Sequence, residues 1–207
     1  MSPLKVGWIG CGFVGQAAHL EAFVQNPAAT ITGLAELRAE LRSSALQSYG
    51  IHRGFPDHHK LLSELDCDTV VAIVNRRHTF EVARDVLNAG KHLLTEKPMA
   101  LTHEKAKILV EIAESKALTY SVGFMRRYDQ GVIKTRELLQ DSDLRAELGN
   151  IVGARFFVEA GSDYCGIEPR LTTKEVYPRP LAIDVAPVWL PEALHEDYER
   201  FLNICSH

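Results

Sequence analysis

Six residues near the start of the chain, GCGFVG, constrain its fold more than any other feature. They place Gly10, Gly12 and Gly15 in a G-x-G-x-x-G pattern, between the short apolar run LKVGWIG and a segment with helical spacing. Such glycines permit a tight turn, a close backbone approach to a pyrophosphate, and close packing of helix on strand. Because helix N-termini attract anions, the loop predicts a phosphate cradle that includes Phe13 and Val14.

The next predicted strand supports a dinucleotide, although the same glycine pattern also occurs in simple turns. It ends in LAELR, which places Glu36 about 20 residues beyond the loop, where an acid bonds ribose hydroxyls. Arg38 could instead hold a 2′-phosphate, but Glu36 would repel that group. We therefore expect NAD rather than NADP. A solvated glutamate at a helix start is the alternative interpretation of Glu36.

Apolar runs alternate with helical segments as far as residue 128, where a strand is predicted over 119–128. Thr102 is the predicted N-cap of the helix before that strand. The clearest run, DTVVAIVN, is β-branched and uncharged after its first residue, as buried parallel strands are. This alternation predicts right-handed βαβ crossovers and a parallel sheet. Beyond it we expect one helix over 129–147, an isolated strand over 149–161 and a helix over 192–206.

Polar side chains follow two of the predicted strands directly. VAIVNRRH brings Asn75 and His78 to the carboxyl end of one strand, and KHLLTEKP brings Glu96 and Lys97 to the end of the next. Ligands of open parallel sheets bind at that edge. Asn75 is a candidate for the nicotinamide side, with a helix N-cap as its alternative. His78 joins the cofactor candidates, although a structural role fits it as well.

Lys97 is the candidate for chemistry at this edge. A lysine beside a dinucleotide can orient a substrate oxygen and share its proton during hydride transfer. Pro98 fixes the backbone after it and offers no further ladder hydrogen bond. The alternative is an ion pair between Glu96 and Lys97 at the surface, which would contribute little.

Composition limits the other ligand classes. A formal charge of −4 and a pI near 6.1, without a basic stripe, argue against nucleic acid as a partner. Four dispersed cysteines are typical of a reduced intracellular protein. With no membrane span or leader pattern evident, we expect a cytoplasmic protein that binds a small-molecule substrate, with homo-oligomers left open. His58-His59 with Cys67 has poor metal spacing, so no metal is expected.

Taken in order, GCGFVG, LAELR, VNRRHTFEVARDVLNAGKHLLTEKPMA and VGFMRRYD resemble the Gfo/Idh/MocA family of NAD(P)-dependent oxidoreductases. The resemblance implies an N-terminal Rossmann domain followed by a domain built on a mostly antiparallel sheet. The expected fold is therefore α/β: a Rossmann-type doubly wound parallel sheet over 1–125, then an incomplete α/β substrate domain over 126–207.

The resemblance also implies a reaction and residue roles. Family members move a hydride between a nicotinamide cofactor and a hydroxyl or keto group of sugars, inositols or similar small polyols. Lys97 matches the lysine with a catalytic or substrate-orienting role, and Glu96, Arg126 and Asn75 match cofactor-side positions. Val74 departs from the family, since many members carry proline there.

Members of the family are longer than this chain, whose last stretch, FLNICSH, resembles the start of a family helix with an acid/base histidine. That match assigns the histidine role to His207 and its partner position to Asn203. A truncated oxidoreductase is the leading expectation, with a tail that is poorly packed, extended or completed by another chain. A nucleotide-binding module without turnover is the alternative. A third reading is an interaction protein in which the Rossmann core is only a scaffold.

Overall fold

The computed structural model describes residues 2–153, 155 and 170–175. These residues fall into two units, the first comprising 2–123 with 170–175 and the second comprising 124–153 with 155. The predicted domain boundary near 125 stays a prediction. None of the described helices is both long enough and apolar enough to cross a membrane.

One parallel sheet of six strands organises the first unit, in the order β3-β2-β1-β4-β5-β6. The strands are β1 Leu4–Ile9, β2 Ala29–Ala35, β3 Gly54–Phe55, β4 Thr69–Ala72, β5 His92–Glu96 and β6 Tyr120–Gly123. Strands β2 and β3 lie on one side of β1, and strands β4, β5 and β6 lie on the other. This change in the order of the strands is typical of doubly wound sheets that bind dinucleotides. The predicted Rossmann-type sheet is confirmed. The short edge strand β3 was not predicted.

Helices connect these strands. A π-helical turn over Gly15–Leu20 leads into α1 Glu21–Gln25, and the others are α2 Ala39–Tyr49, α3 His58–Glu64, α4 Thr79–Asn88 and α5 His103–Ser115. Thr102 is the predicted N-cap of α5, and its Oγ1 accepts a hydrogen bond from the Lys105 amide at 3.3 Å. The Asp57 carboxylate caps α3 by accepting from the Lys60 amide at 2.8 Å.

Two apolar clusters cover the two faces of the sheet. Alternate residues of β4 point to opposite sides, Val70 into the cluster under α3, α4 and α5, and Val71 into the cluster under α1 and α2. Each fully buried leucine or valine contributes roughly 1.5–3 kcal/mol, against about 1 kcal/mol for a helix cap. Packing on the sheet, more than capping, therefore holds the helices in place.

The second unit is helical and departs from the predicted elements. The expected strand over 119–128 ends with β6, and a 3-10 helix, Met125–Tyr128, follows it. The single helix expected over 129–147 is two helices, α6 Gln130–Gln140 and α7 Ser142–Leu148. Asp141 separates them because its backbone is extended and its carboxylate accepts from the Asp143 and Leu144 amides at 3.0 Å.

The strand predicted over 149–161 is not observed in its described part, 149–153 and 155. Its remaining residues, and the helix predicted over 192–206, lie outside the described residues. Residues 170–175 are part of the tail that was expected to be poorly packed, extended or completed by another chain; they belong to the first unit, where Leu171 packs against one of its apolar clusters. The main-chain groups of Leu171 pair with the side-chain amide of Gln16, at 2.8 and 3.0 Å.

Candidate functional site

The glycine loop joins β1 to the π-helical turn at the carboxyl edge of the sheet. Gly10 has φ +91°, and a Cβ there would overlap the carbonyl oxygen of Ile73. A Cβ at Gly15 would lie 3.1 Å from the Gly10 carbonyl oxygen. Both glycines are therefore needed for the turn and for close packing of the helix on the strand.

The rest of the loop keeps its backbone close to the surface. Gly12 and Phe13 are half-buried and Val14 is exposed. The helix that follows starts with a π-helical turn rather than the expected α-helix. Such turns are rare and are often found at functional sites.

Glu36 lies at the carboxyl end of β2 and is only 4% exposed. Its Oε2 accepts from the Cys11 amide at 2.8 Å, which ties the glycine loop to the second strand. Its Oε1 accepts from Arg38 Nε at 2.8 Å and from the Arg38 amide at 3.1 Å. A buried carboxylate beside the loop fits the ribose end of a dinucleotide. The solvated-glutamate alternative is wrong, because the side chain is buried.

Burial governs the chemistry of Cys11 in the same loop. The thiol is fully buried, and its pKa rises to about 12, chiefly because burial disfavours the thiolate and secondly because Glu36 is negative. Arg38 acts in the opposite direction. Cys11 therefore fills space beneath the loop as a neutral thiol.

At the end of β5, Glu96 pairs with a residue that sequence reasoning missed. His19 Nε2 lies 2.7 Å from Glu96 Oε1, and both side chains are 19% exposed. The other oxygen, Oε2, accepts from the Lys97 amide at 3.1 Å. The pairing links the helix after the glycine loop to the strand that carries Lys97.

Lys97 itself is exposed at the tip of β5, next to a cis peptide bond with Pro98. In the described part of the chain, no ion pair joins its ammonium group to Glu96. The alternative in which these two side chains form a surface ion pair is therefore not observed. An exposed amine at this edge is accessible to a substrate.

Asn75 and His78 lie in the turn between β4 and α4. The Asn75 side-chain oxygen accepts a hydrogen bond from the Arg77 amide at 3.1 Å. The Asn75 main-chain carbonyl accepts a hydrogen bond from the His78 amide at 2.8 Å. His78, not Asn75, occupies the N-cap position of α4, and its side chain makes no capping bond. Burial is the main reason that the pKa of His78 lies below its usual value.

Three candidates, Arg126, Asn203 and His207, are not assigned to this edge. Arg126 is exposed on the 3-10 helix of the second unit, so its assignment to the cofactor stays a prediction. His207 and Asn203 lie outside the described residues, and their roles also stay predictions.

Sequence reasoning also missed Gln16, which is 4% exposed. Its Nε2 donates to the Cys11 carbonyl at 2.7 Å, so the side chain closes the loop from below. A polar residue directly after the third glycine was the only available signal, because its distant partner Leu171 is 155 positions away.

The two adjacent histidines, His58 and His59, were expected to have poor metal spacing. In the structure His58 Nε2 and His59 Nδ1 both approach Asp85 Oδ2, at 3.1 and 3.8 Å. Asp85 comes from the next helix, α4, which sequence spacing could not reveal. Cys67 is not a member of this cluster.

Comparison with known proteins gives a family for this architecture. A family model of Gfo/Idh/MocA oxidoreductases, described as an oxidoreductase family with an NAD-binding Rossmann fold, matches residues 4–124. Inositol 2-dehydrogenase of Salmonella typhimurium is 26% identical over 144 residues, 68% of this chain and 43% of that protein. Inositol 2-dehydrogenase/D-chiro-inositol 3-dehydrogenase of Lacticaseibacillus casei is 33% identical over 150 residues, 70% of this chain and 42% of that protein.

Solved structures agree on the fold. Scyllo-inositol dehydrogenase from Lactobacillus casei, crystallised with NAD(H) and scyllo-inositol, superposes with a TM-score of 0.62 at 24% identity. The match covers 66% of this chain and 41% of that one. The chain thus spans less than half the length of the relatives it matches.

Proposed function

This chain belongs to the Gfo/Idh/MocA family of oxidoreductases with an NAD-binding Rossmann fold, and on that premise we propose that it serves NAD-dependent hydride transfer. The proposed substrate is a hydroxyl or keto group of an inositol, a sugar or a similar small polyol. Relatives named as inositol dehydrogenases support this substrate class. The observation that carries the cofactor proposal is the buried Glu36 carboxylate bonded to the amide of Cys11 in the glycine loop.

The residues present fit a dinucleotide. Gly10 and Gly15 cannot carry side chains without disrupting the turn, so the loop offers backbone to the paired phosphates. Glu36 would accept hydrogen bonds from the ribose hydroxyls, and its bond to Arg38 disfavours a 2′-phosphate because it engages the guanidinium that could hold that group. When bound, NAD supplies the hydride acceptor.

Lys97 would orient the substrate oxygen by a hydrogen bond and share the hydroxyl proton as the carbon loses its hydride. Its amine is exposed at the carboxyl end of β5, and the pair of Glu96 with His19 holds the strand end in place. His207 is proposed as the second acid/base group by its family match alone.

A second candidate function is cofactor binding without turnover. It is favoured by the family model, which matches the NAD-binding Rossmann part, residues 4–124.

Two measurements separate these functions. NADH is titrated into the full chain by fluorescence and by calorimetry, and NAD reduction is followed with a panel of inositols and sugars. Turnover that is abolished in Lys97→Met, with NADH affinity unchanged, supports hydride transfer. Binding without turnover supports the second function. Absence of NADH binding at millimolar concentration refutes both.

A further inference from the structure

Three groups that can ligate a metal converge away from the glycine loop. His58 and His59 begin α3, and Asp85 lies in α4. The Asp85 Oδ2 atom lies 3.1 Å from His58 Nε2 and 3.8 Å from His59 Nδ1. All three ligand atoms lie within 4.8 Å of one another. The proposed dehydrogenase reaction uses none of these side chains.

We propose that His58, His59 and Asp85 bind one Zn²⁺ ion, with water completing the coordination. The site is independent of the proposed cofactor function. It ties α3 to α4 and takes no part in hydride transfer. The proposal differs from the sequence-based expectation of no metal because the third ligand comes from a separate helix.

The spacing of the ligand atoms suits a tetrahedral ion. Zinc lies about 2.0–2.1 Å from imidazole nitrogen and carboxylate oxygen, which places neighbouring ligand atoms about 3.3 Å apart. The two separations from Asp85, 3.1 and 3.8 Å, lie on either side of that value, and the two histidine nitrogens lie within 4.8 Å of each other. The His59 side chain is 70% exposed and can rotate to close the remaining gap.

The surroundings orient the carboxylate toward the histidines. Arg84 donates to Asp85 Oδ1 from Nε at 3.2 Å and from a terminal nitrogen at 3.0 Å, which leaves Oδ2 for the ion. Outer groups of this kind orient metal ligands in proteins. The Asp57 carboxylate caps α3 and offsets the positive charge of the helix start.

The ligand set also selects the kind of ion. Two imidazoles and one carboxylate suit zinc and its transition-metal neighbours, whereas magnesium and calcium prefer oxygen ligands throughout. The His58 and Asp85 side chains are 13% and 21% exposed, so two of the three ligands are held in fixed positions. Zinc is the ion of this class without redox chemistry, which suits a structural tie.

Calorimetric titration of the full chain with zinc chloride tests the site, after chelator treatment and removal of any affinity tag. Zinc should bind and should raise the thermal unfolding midpoint, since an ion that binds only the folded form stabilises it. His59→Ala should weaken this binding more than about tenfold, because even loss of an outer partner commonly has that effect. His103→Ala is the matched control, an exposed histidine at the start of α5.

Zinc binding that is equal in the His59→Ala and His103→Ala variants would overturn the proposal, as would a wild-type chain that binds no zinc. Calcium chloride is the comparator, and an equal rise of the unfolding midpoint with calcium would refute the imidazole-based site. NADH affinity should be the same in His59→Ala and wild type, so failure of the zinc site is distinguishable from failure of the cofactor function.

Discussion

At the scale of single residues, Glu36 connects the elements that would contact the cofactor. It accepts from the loop amide of Cys11 and from Arg38, and it is buried while doing so. The sequence predicted an acid at this position, but it did not predict the hydrogen bond from the Cys11 amide. The Glu36 carboxylate is thus paired with one guanidinium beside the glycine loop.

Replacing Glu36 with glutamine should change cofactor preference. The variant loses the charged acceptor for ribose hydroxyls, worth roughly 1.5–3 kcal/mol for a bond to a charged group, so NADH should bind about tenfold or more weakly. Arg38 loses a charged partner, so NADPH should bind more tightly than to wild type.

Fluorescence titration with NADH and with NADPH measures the two affinities of Glu36→Gln and of wild type. A thermal melt shows that the variant folds. Glu111→Gln, an exposed acid of α5, is the control. Unchanged affinities in Glu36→Gln would contradict the ribose role.

Cys11 should resist alkylation in the folded chain. With a pKa of about 12, its thiolate fraction near pH 8 is roughly a thousandfold below that of an ordinary thiol. Peptide mapping after iodoacetamide treatment measures the rate at this residue alone, in native buffer and in urea. Labelling of Cys11 at similar rates in both conditions would show that the loop is open.

At the scale of elements, the glycine loop depends on packing against the strand beside it. Gly10 has positive φ and also lies against the Ile73 carbonyl, whereas Gly50 has positive φ and open space around it. Comparison of the two positions separates backbone strain from steric overlap.

Gly10→Ala should therefore destabilise the fold more than Gly50→Ala. Left-handed strain alone is about 1–2 kcal/mol, and overlap with a backbone oxygen should bring the loss at Gly10 above about 3 kcal/mol. Urea unfolding followed by circular dichroism gives both free energies of unfolding. Equal losses at the two positions would mean that the loop can move away from Ile73.

At the scale of the whole molecule, two apolar clusters hold helices to both faces of one sheet. Residues 2–123 should therefore unfold in a single transition. Their free energy of unfolding should also depend on the protonation of half-buried groups in this unit. His78 is half-buried, and burial, aided by Arg77 and opposed by Glu81, lowers its pKa. His58 has a pKa lowered by burial as well.

Stability should fall as the pH drops below about 6.5, the usual pKa of an unfolded histidine. The folded chain binds fewer protons than the unfolded chain between the lowered pKa and that value, so unfolding is favoured by acid. Above about pH 6.5 this contribution should be constant. Urea midpoints measured between about pH 5 and pH 8 test it, and His78→Gln should show a shallower decline. An identical decline in His78→Gln would assign the effect to other groups.

Local sequence patterns were sufficient to predict the sheet, the glycine turn and the helix cap at Thr102. Alternation with period two and the turn chemistry of glycine act between neighbours in sequence, so they can be read without coordinates. The break between α6 and α7 was missed because a helical pattern runs through Asp141, whose capping role is apparent only from its contacts.

The amino-acid sequence alone determined the parallel sheet, the acid at the end of its second strand and the basic residue at the end of its fifth. Only the tertiary structure decided which distant groups meet: His19 with Glu96, Gln16 with Leu171, and two histidines of α3 with an aspartate of α4. The physical reason is that periodicity indicates which face of an element is buried, whereas side-chain pairing depends on how the elements pack. Local sequence patterns therefore do not show which residues, far apart in the chain, come into contact.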